Sequence, residues 1–322
     1  MIVGSLAILF NLLSVLALSG VLVVTAVCLI VRFRIIDLNS YSALARRKFL
    51  WLLAFSPWVI GTVAGIIALL TGSRYLPIAE NYSFFHWHHP QEFLFNSWHG
   101  LSVAIAVSSV LFIVIRNIIR LHKKRIKLKT LLSMAESNAD DFYYLDADTP
   151  AAFTAGYFQP KCYITKALLS KLSKEEYSII KLHEKEHARR YDPYKKWVYQ
   201  LLTTFFPKKI SLILNQSLTT VMEQCADEAV ALVIHDKSVI ATTLLKVRRL
   251  AYPLFAKNME HNLICHYGMD NIEERISYLL ADNKGRVFPL FITILTCAVM
   301  SILCAMSADM FHHTIEYTLS HS

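Results

Sequence analysis

Four apolar runs most constrain what this chain can fold into. The first, from about Val3 to Val31, is uninterrupted and is followed directly by Arg32 and Arg34. About 20 apolar residues carry a helix across the hydrocarbon core of a bilayer, so this run reads as a spanning helix. A cleaved signal peptide has its basic residues before a shorter apolar core, which is the reverse order. Further runs cover about Phe49 to Thr71, Leu101 to Ile119 and Val287 to Met306. Composition points the same way. Of 322 residues, 55% are hydrophobic and 18% charged, too apolar for an ordinary soluble protein and too charged for a pure membrane bundle.

Basic residues orient the runs. The loop at 32–48 carries Arg32, Arg34, Arg46, Arg47 and Lys48 against Asp37, and the third run ends in Arg116, Arg120, Lys123, Lys124, Arg125, Lys127 and Lys129. The positive-inside rule puts both collars in the cytoplasm and both chain termini outside. The same collars account for the net charge of +9, and no direct nucleic-acid binding is expected. The predicted layout is three membrane helices within 1–120, an aqueous domain at 121–286, and a fourth membrane helix with a short outer tail at 287–322. The outer loop at 72–98 is rich in aromatics that favour the membrane interface. Its His86, His88 and His89, with Glu92 and His99, read as polar residues among those rings, with a metal site as the alternative. The six Cys form no Cys-x-x-Cys pair, so neither a disulfide framework nor a cysteine zinc site is expected.

In the aqueous domain, Asp140–Leu145, Pro150–Phe158 and Cys162–Thr165 combine aromatic and β-branched residues with Pro, Gly and Asp boundaries, predicting two or three short strands in a small sheet. Ser173-Lys174-Glu175-Glu176 is a capping box that opens a helix, expected to run to about Tyr191 ahead of Pro193. Trp197–Phe206 is too short to span a membrane and reads as a helix packed in the core or lying on the inner leaflet. Another helix is expected over about Ser211–Ile234.

On the capped helix lies His183-Glu184-Lys185-Glu186-His187. Residues four apart share a helix face, so both imidazoles can bind one ion, and Glu184 beside the first can take a proton from a metal-bound water. Such a pattern arises by chance in roughly a few per cent of sequences of this composition, so its surroundings must decide. A catalytic zinc takes a third protein ligand and leaves its fourth position to water. Glu223 and Asp227 are four apart on a later helix, so Glu223 can ligate while Asp227 hydrogen-bonds a ligand imidazole. Glu228 is the runner-up ligand.

The ordered elements Phe153-Thr154-x-Gly156, Pro160, Leu172-Ser173-x-x-Glu176, His183-Glu184-x-x-His187-x-x-Arg190-x-Asp192-Pro193 and Glu223-x-x-Ala226-Asp227-Glu228 resemble the integral-membrane zinc peptidases typified by the β-lactam sensor-transducers of resistant bacteria. More distantly they look like the prenyl-protein and heat-shock membrane peptidases. The resemblance implies one zinc per chain on His183, His187 and Glu223, Glu184 as general base, and a supporting role for Arg190 and Asp192, which can pair and fix the helix end. It implies a mostly α membrane protein, with a cytoplasmic α+β zincin-like domain between the third and fourth membrane helices, in a bacterial inner membrane. Tyr191, His261, His266 and Arg275 are open candidates for stabilising the oxyanion.

The expected function is membrane-embedded endopeptidase action on a protein or peptide substrate at the cytoplasmic side, in signalling or regulatory proteolysis. The partners expected are that substrate, a repressor or regulator among the candidates, the lipid bilayer, and a second copy as a candidate homodimer. Housekeeping turnover of membrane proteins is one alternative, and a non-catalytic receptor or scaffold another. An exposed strand near Phe153–Phe158 is expected to add the substrate by backbone pairing. The sensor-transducers carry a penicillin-binding domain after the last membrane helix. Here Ser307–Ser322 holds no Ser-x-x-Lys or Lys-Thr-Gly element, so β-lactam sensing is not expected. The linker Asp282–Arg286 reads as a flexible tether, with self-cleavage there loosely suggested by the resemblance.

Overall fold

The structure is a computed structural model that describes residues 2–72, 92–93, 98–132, 136–137, 142–255, 272–281 and 285–320. In chain order the elements are β1 (Ile2–Val3), α1 (Ser5–Arg32), α2 (Ala43–Gly72), β2 (Glu92–Phe93), α3 (Trp98–Leu132), β3 (Glu136–Ser137), β4 (Phe142–Leu145), β5 (Ala152–Ala155), β6 (Lys161–Thr165), α4 (Lys166–Leu169), α5 (Lys174–Arg189), α6 (Asp192–Thr203), α7 (Lys208–Ala231), α8 (Lys237–Phe255), α9 (Ile272–Leu280) and α10 (Leu290–Ser320). The protein is mostly helical with a small mixed sheet. Among the described residues, four helical segments are long and apolar enough to cross a membrane: Ser5–Arg32, Ala43–Leu70, Gly100–Arg120 and Leu290–Ser307.

Helices α1 and α2 pack along each other, and the approach is close at two glycines. A Cβ on Gly61 would lie 3.2 Å from the Leu16 carbonyl oxygen, and one on Gly65 would lie 3.0 Å from Leu12 Cδ2. Small residues spaced four apart let helix backbones come together in this way. The same side of α2 receives α6, where Tyr199 Oη donates to the Leu50 carbonyl at 3.2 Å and Trp58 meets Phe205 edge-on. One apolar cluster therefore runs from Val15 and Val27 of α1 through Leu50 and Ala64 of α2 to Leu214 and Met222 of α7 and Cys304 of α10.

The sheet has the order β3-β4-β6-β5, with β4 parallel to β6 and the outer pairs antiparallel. Alternation along the strands separates two faces. Ala152, Cys162 and Ile164 join a second cluster with Ile179 and Ile180 of α5 and Leu244 of α8, whereas Phe153, Ala155 and Tyr163 pack on the opposite face. Helix α5 is set by its capping box: Ser173 Oγ accepts from the Glu176 N–H at 3.1 Å, and the Glu176 side chain accepts from the Ser173 N–H at 2.7 Å.

Helix α7 belongs to both clusters. At about 100° per residue, Val221, Met222 and Cys225 share one side, and Glu223, Asp227 and Val230 share the other. The first set packs in the cluster with α1 and α2, while Val230 packs in the cluster with the sheet and α5.

Several boundaries differ from the sequence reading. The motif helix stops at Arg189, and a fresh helix begins at Asp192 after Tyr191 in the left-handed region (φ 56°). Pro193 thus opens α6 as well as ending α5, because its missing N–H costs nothing in a first turn. Helix α7 starts at Lys208, directly after Pro207, rather than near Ser211. Helix α3 extends through the basic collar to Leu132, and α8 was not anticipated. Strand β5 stands at the edge of the sheet with its four residues buried, and Phe158 just beyond it is exposed. Of the linker at 282–286, residues 282–284 lie outside the described residues. Arg286 is no free tether: its N–H donates to the Ser40 carbonyl at 2.9 Å, and its carbonyl accepts from the Ser42 N–H at 3.1 Å. Gly285 has φ 66° and sits where a Cβ would come within 2.6 Å of the Ser42 nitrogen, so a side chain does not fit. His86, His88 and His89 also lie outside the described residues.

Candidate metal centre

Helix α5 brings His183 and His187 onto one face, with their Nε2 atoms 3.0 Å apart and the rings nearly perpendicular at 80°. From α7, Glu223 Oε2 lies 3.3 Å from His183 Nε2 and 3.5 Å from His187 Nε2. One ligand atom from each of the three residues falls within 4.8 Å of the others, and all three residues are buried.

The opposite edge of each imidazole faces a carboxylate. His183 Nδ1 lies 3.0 Å from Asp227 Oδ1, and His187 Nδ1 lies 2.7 Å from Asp192 Oδ2. Protons on both Nδ1 atoms turn the Nε2 lone pairs towards each other and towards Glu223. Three acceptors then converge on one point, an arrangement that needs a positive charge between them. A tetrahedral zinc with bonds of about 2.0–2.1 Å separates its ligands by roughly 3.3 Å, which matches the spacings here. Charge agrees with the geometry. With both imidazoles neutral, as metal binding requires, the buried carboxylates of Glu184, Asp192, Glu223 and Asp227 outnumber the cations of Lys196 and Arg275 by two, a charge that a divalent ion would balance. The residues present therefore fit such an ion.

Further partners hold the carboxylates. Arg275, fully buried, donates through Nε and Nη2 to the two Asp227 oxygens at 2.8 Å each, and its Nη1 lies 3.4 Å from Glu223 Oε2. Lys196 Nζ lies 3.4 Å from Glu223 Oε1. From α2, the buried Arg46 donates through Nη2 to Gln224 Oε1 at 2.6 Å and stacks over the Tyr278 ring.

These contacts set the proton affinities when no cation is bound. Burial pulls the His183 imidazole down, but Asp227 and Glu223 outweigh it and leave its pKa raised. For His187, burial is likewise opposed by the Glu223 charge and the Asp192 hydrogen bond, which raise the pKa to about 10. Burial pushes the Glu223 carboxyl up, yet the charges of His187 and Lys196 hold it well below the usual carboxylate range. Asp227 is lowered in the same way, chiefly by Arg275 against its burial.

The structure brings together His183, Glu184, His187, Glu223, Asp227 and Asp192. Arg190 does not pair with Asp192. It forms an ion pair with Glu186 on its own helix, since Asp192 is turned towards His187. Glu228 is exposed and accepts from Tyr278 Oη at 2.7 Å, away from the other ligands. Among the oxyanion candidates, Arg275 is shut behind Asp227 and Tyr191 is half exposed outside the cleft lining, while His261 and His266 lie outside the described residues. Two cleft residues had no role in the sequence reading. Lys196 follows Asp192 by four on α6, so a shared helix face could have revealed it. Thr154 shares a strand face with Ala152, the face turned to α5.

A buried His-His-Glu triad beside a glutamate, joined to apolar helices of spanning length, defines the class of a metallopeptidase associated with apolar helices. The sequence model of the family described as BlaR1 peptidase M56 matches residues 8–279, and the chain belongs to that family of metallopeptidases. No curated protein matches the chain.

Proposed function

We propose that the chain is a zinc-dependent endopeptidase of a bacterial inner membrane. Its four apolar helices span the bilayer and its site lies on the cytoplasmic side, where the basic collars at 32–48 and 116–129 would hold it. It cuts a protein substrate in signalling or regulation. The observation that carries this reading is the convergence of His183, His187 and Glu223 beside Glu184, in a cleft also lined by Thr154, Pro193 and Lys196.

His183, His187 and Glu223 would hold the ion, and zinc, when bound, supplies a Lewis acid that polarises the scissile carbonyl and acidifies a water. The remaining steps belong to side chains. Glu184 takes a proton from the attacking water and later returns it to the leaving amine. Asp227 and Asp192 fix both imidazoles through Nδ1, and Arg275 keeps Asp227 ionised for that task. Lys196 steadies the second oxygen of Glu223.

A comparison of cellular protein termini between wild type and Glu184→Gln tests the reading. New termini in one repressor or regulator, present only with wild type, support regulatory proteolysis. A broad set would point to membrane-protein turnover instead. Identical termini in the two strains would sink the peptidase reading.

A further inference from the structure

Resting on the peptidase reading above, we infer that Thr154 is a positioning residue for the proton shuttle of Glu184. Thr154 is in β5, is 5% exposed, and lines the cleft. Its Oγ1 lies 2.7 Å from Glu184 Oε2 and 2.9 Å from the Glu184 carbonyl oxygen. It also lies 3.8 Å from the sulfur of Cys162, its cross-strand neighbour. A hydroxyl has one proton to donate, so two close acceptors compete for it. The Glu184 carbonyl sits inside α5, where helical pairing already supplies a donor. The ionised carboxylate is the stronger acceptor, and the shorter contact goes to it. Thr154 therefore donates to Oε2.

This donation selects which carboxylate oxygen does the chemistry. With Oε2 held by the hydroxyl, the proton taken from water goes to Oε1: the water O–H bond breaks and an Oε1–H bond forms. Oε2 is then the carbonyl oxygen of the neutral acid and still accepts from Thr154, so the carboxyl does not turn. The same proton leaves Oε1 when the N–H bond of the departing amine forms. Thr154 gains and loses no proton in the cycle. It leaves Oε1, the oxygen it does not hold, to carry the proton.

The test uses full-length, zinc-loaded protein in detergent, with denatured dye-labelled casein as the probe, and compares wild type with Thr154→Val, Thr154→Ser and Glu184→Gln. Valine preserves shape and strand preference without the hydroxyl, whereas serine keeps the hydroxyl. The expected result for Thr154→Val is kcat lower by about 10- to 100-fold, with KM and bound zinc per chain unchanged. Thr154→Ser should stay within about threefold of wild type, because the donor remains. Unchanged kcat in Thr154→Val overturns the assignment. So does a Thr154→Ser as slow as Thr154→Val, or a fall in bound zinc that matches the fall in rate, since either marks a packing role. If Thr154→Val does not accumulate, Thr154→Ala is compared with Thr154→Ser by the same criteria. Wild type no faster than Glu184→Gln, by contrast, defeats the peptidase reading itself and this inference with it.

Discussion

The two apolar clusters that meet on α7 are made of similar residues but held by different forces. The cluster of the sheet, α5, α8 and α9 closes on itself around Phe142, Ile164, Ile180 and Leu244, and removal of apolar surface from water stabilises it. The cluster of α1, α2, α6 and α10 leaves Val21, Phe55, Val59 and Phe291 on outward faces. Water would oppose that arrangement, but lipid, as proposed for these helices, would cover it. Between helices in lipid the hydrophobic driving force is absent, and close backbone approach takes over, as at Gly61 and Gly65. Glu223 sits on the helix shared by the two. Arg46 of α2 grips the adjacent Gln224, and Arg275 of α9 grips Asp227 one turn later. The ligand is thus held from the side of α2 and from the sheet side together.

The largest expected contrast lies inside the site. Glu184→Gln should keep its zinc while losing about 10²- to 10⁴-fold in rate, whereas His187→Ala should lose zinc and rate together. Metal analysis beside a proteolysis assay separates the two, and zinc lost from Glu184→Gln would contradict the role given to that residue.

Next comes the sheet-side grip. Arg275→Met leaves Asp227 buried without its cation and should destabilise the protein by about 3–5 kcal/mol, read as a lowered denaturation midpoint. A change below about 1 kcal/mol would mean that the pair contributes little to the fold. On the side of α1 and α2, Gly61→Leu should cost about 1–3 kcal/mol by overpacking against α1. Its effect should appear as loosened α1–α2 packing in cross-linking, while zinc content stays at the wild-type level. An unaffected cross-link would remove close approach as the basis of that cluster.

A further effect is one of pH. Because the folded pKa of His187 is raised to about 10, its contribution to the chelated protein is complete below its ordinary pKa of about 6.5 and fades as pH rises towards 10. Zinc needs the same imidazole neutral, so its stabilising effect should grow over that interval. Thermal melts at pH 6.5 to 9, with chelator and with zinc, should show the two trends diverging. Parallel curves would show that no proton is displaced.

Much of this was legible in the chain because the signals are local. The capping box at Ser173, the i, i+4 pair of His183 and His187, the pair of Glu223 and Asp227, and the four apolar runs each depend on neighbours within a few turns. Helical periodicity turns such spacing directly into a shared face. Family resemblance supplied the link between the separate motifs. Local reading failed where two outcomes compete over one residue: Pro193 ends a helix and also begins one.

The sequence by itself determined which side chains can bind a metal and which faces of α5 and α7 carry them. Only the tertiary structure decided their partners. Asp192 turns to His187 instead of Arg190, Arg275 closes on Asp227 from 48 residues away, and Thr154 meets Glu184 from 30 residues away. Those choices depend on how β5 and α9 pack against α5 and α7. A buried charge settles on whichever partner packing brings within hydrogen-bonding distance, and sequence separation does not encode that distance.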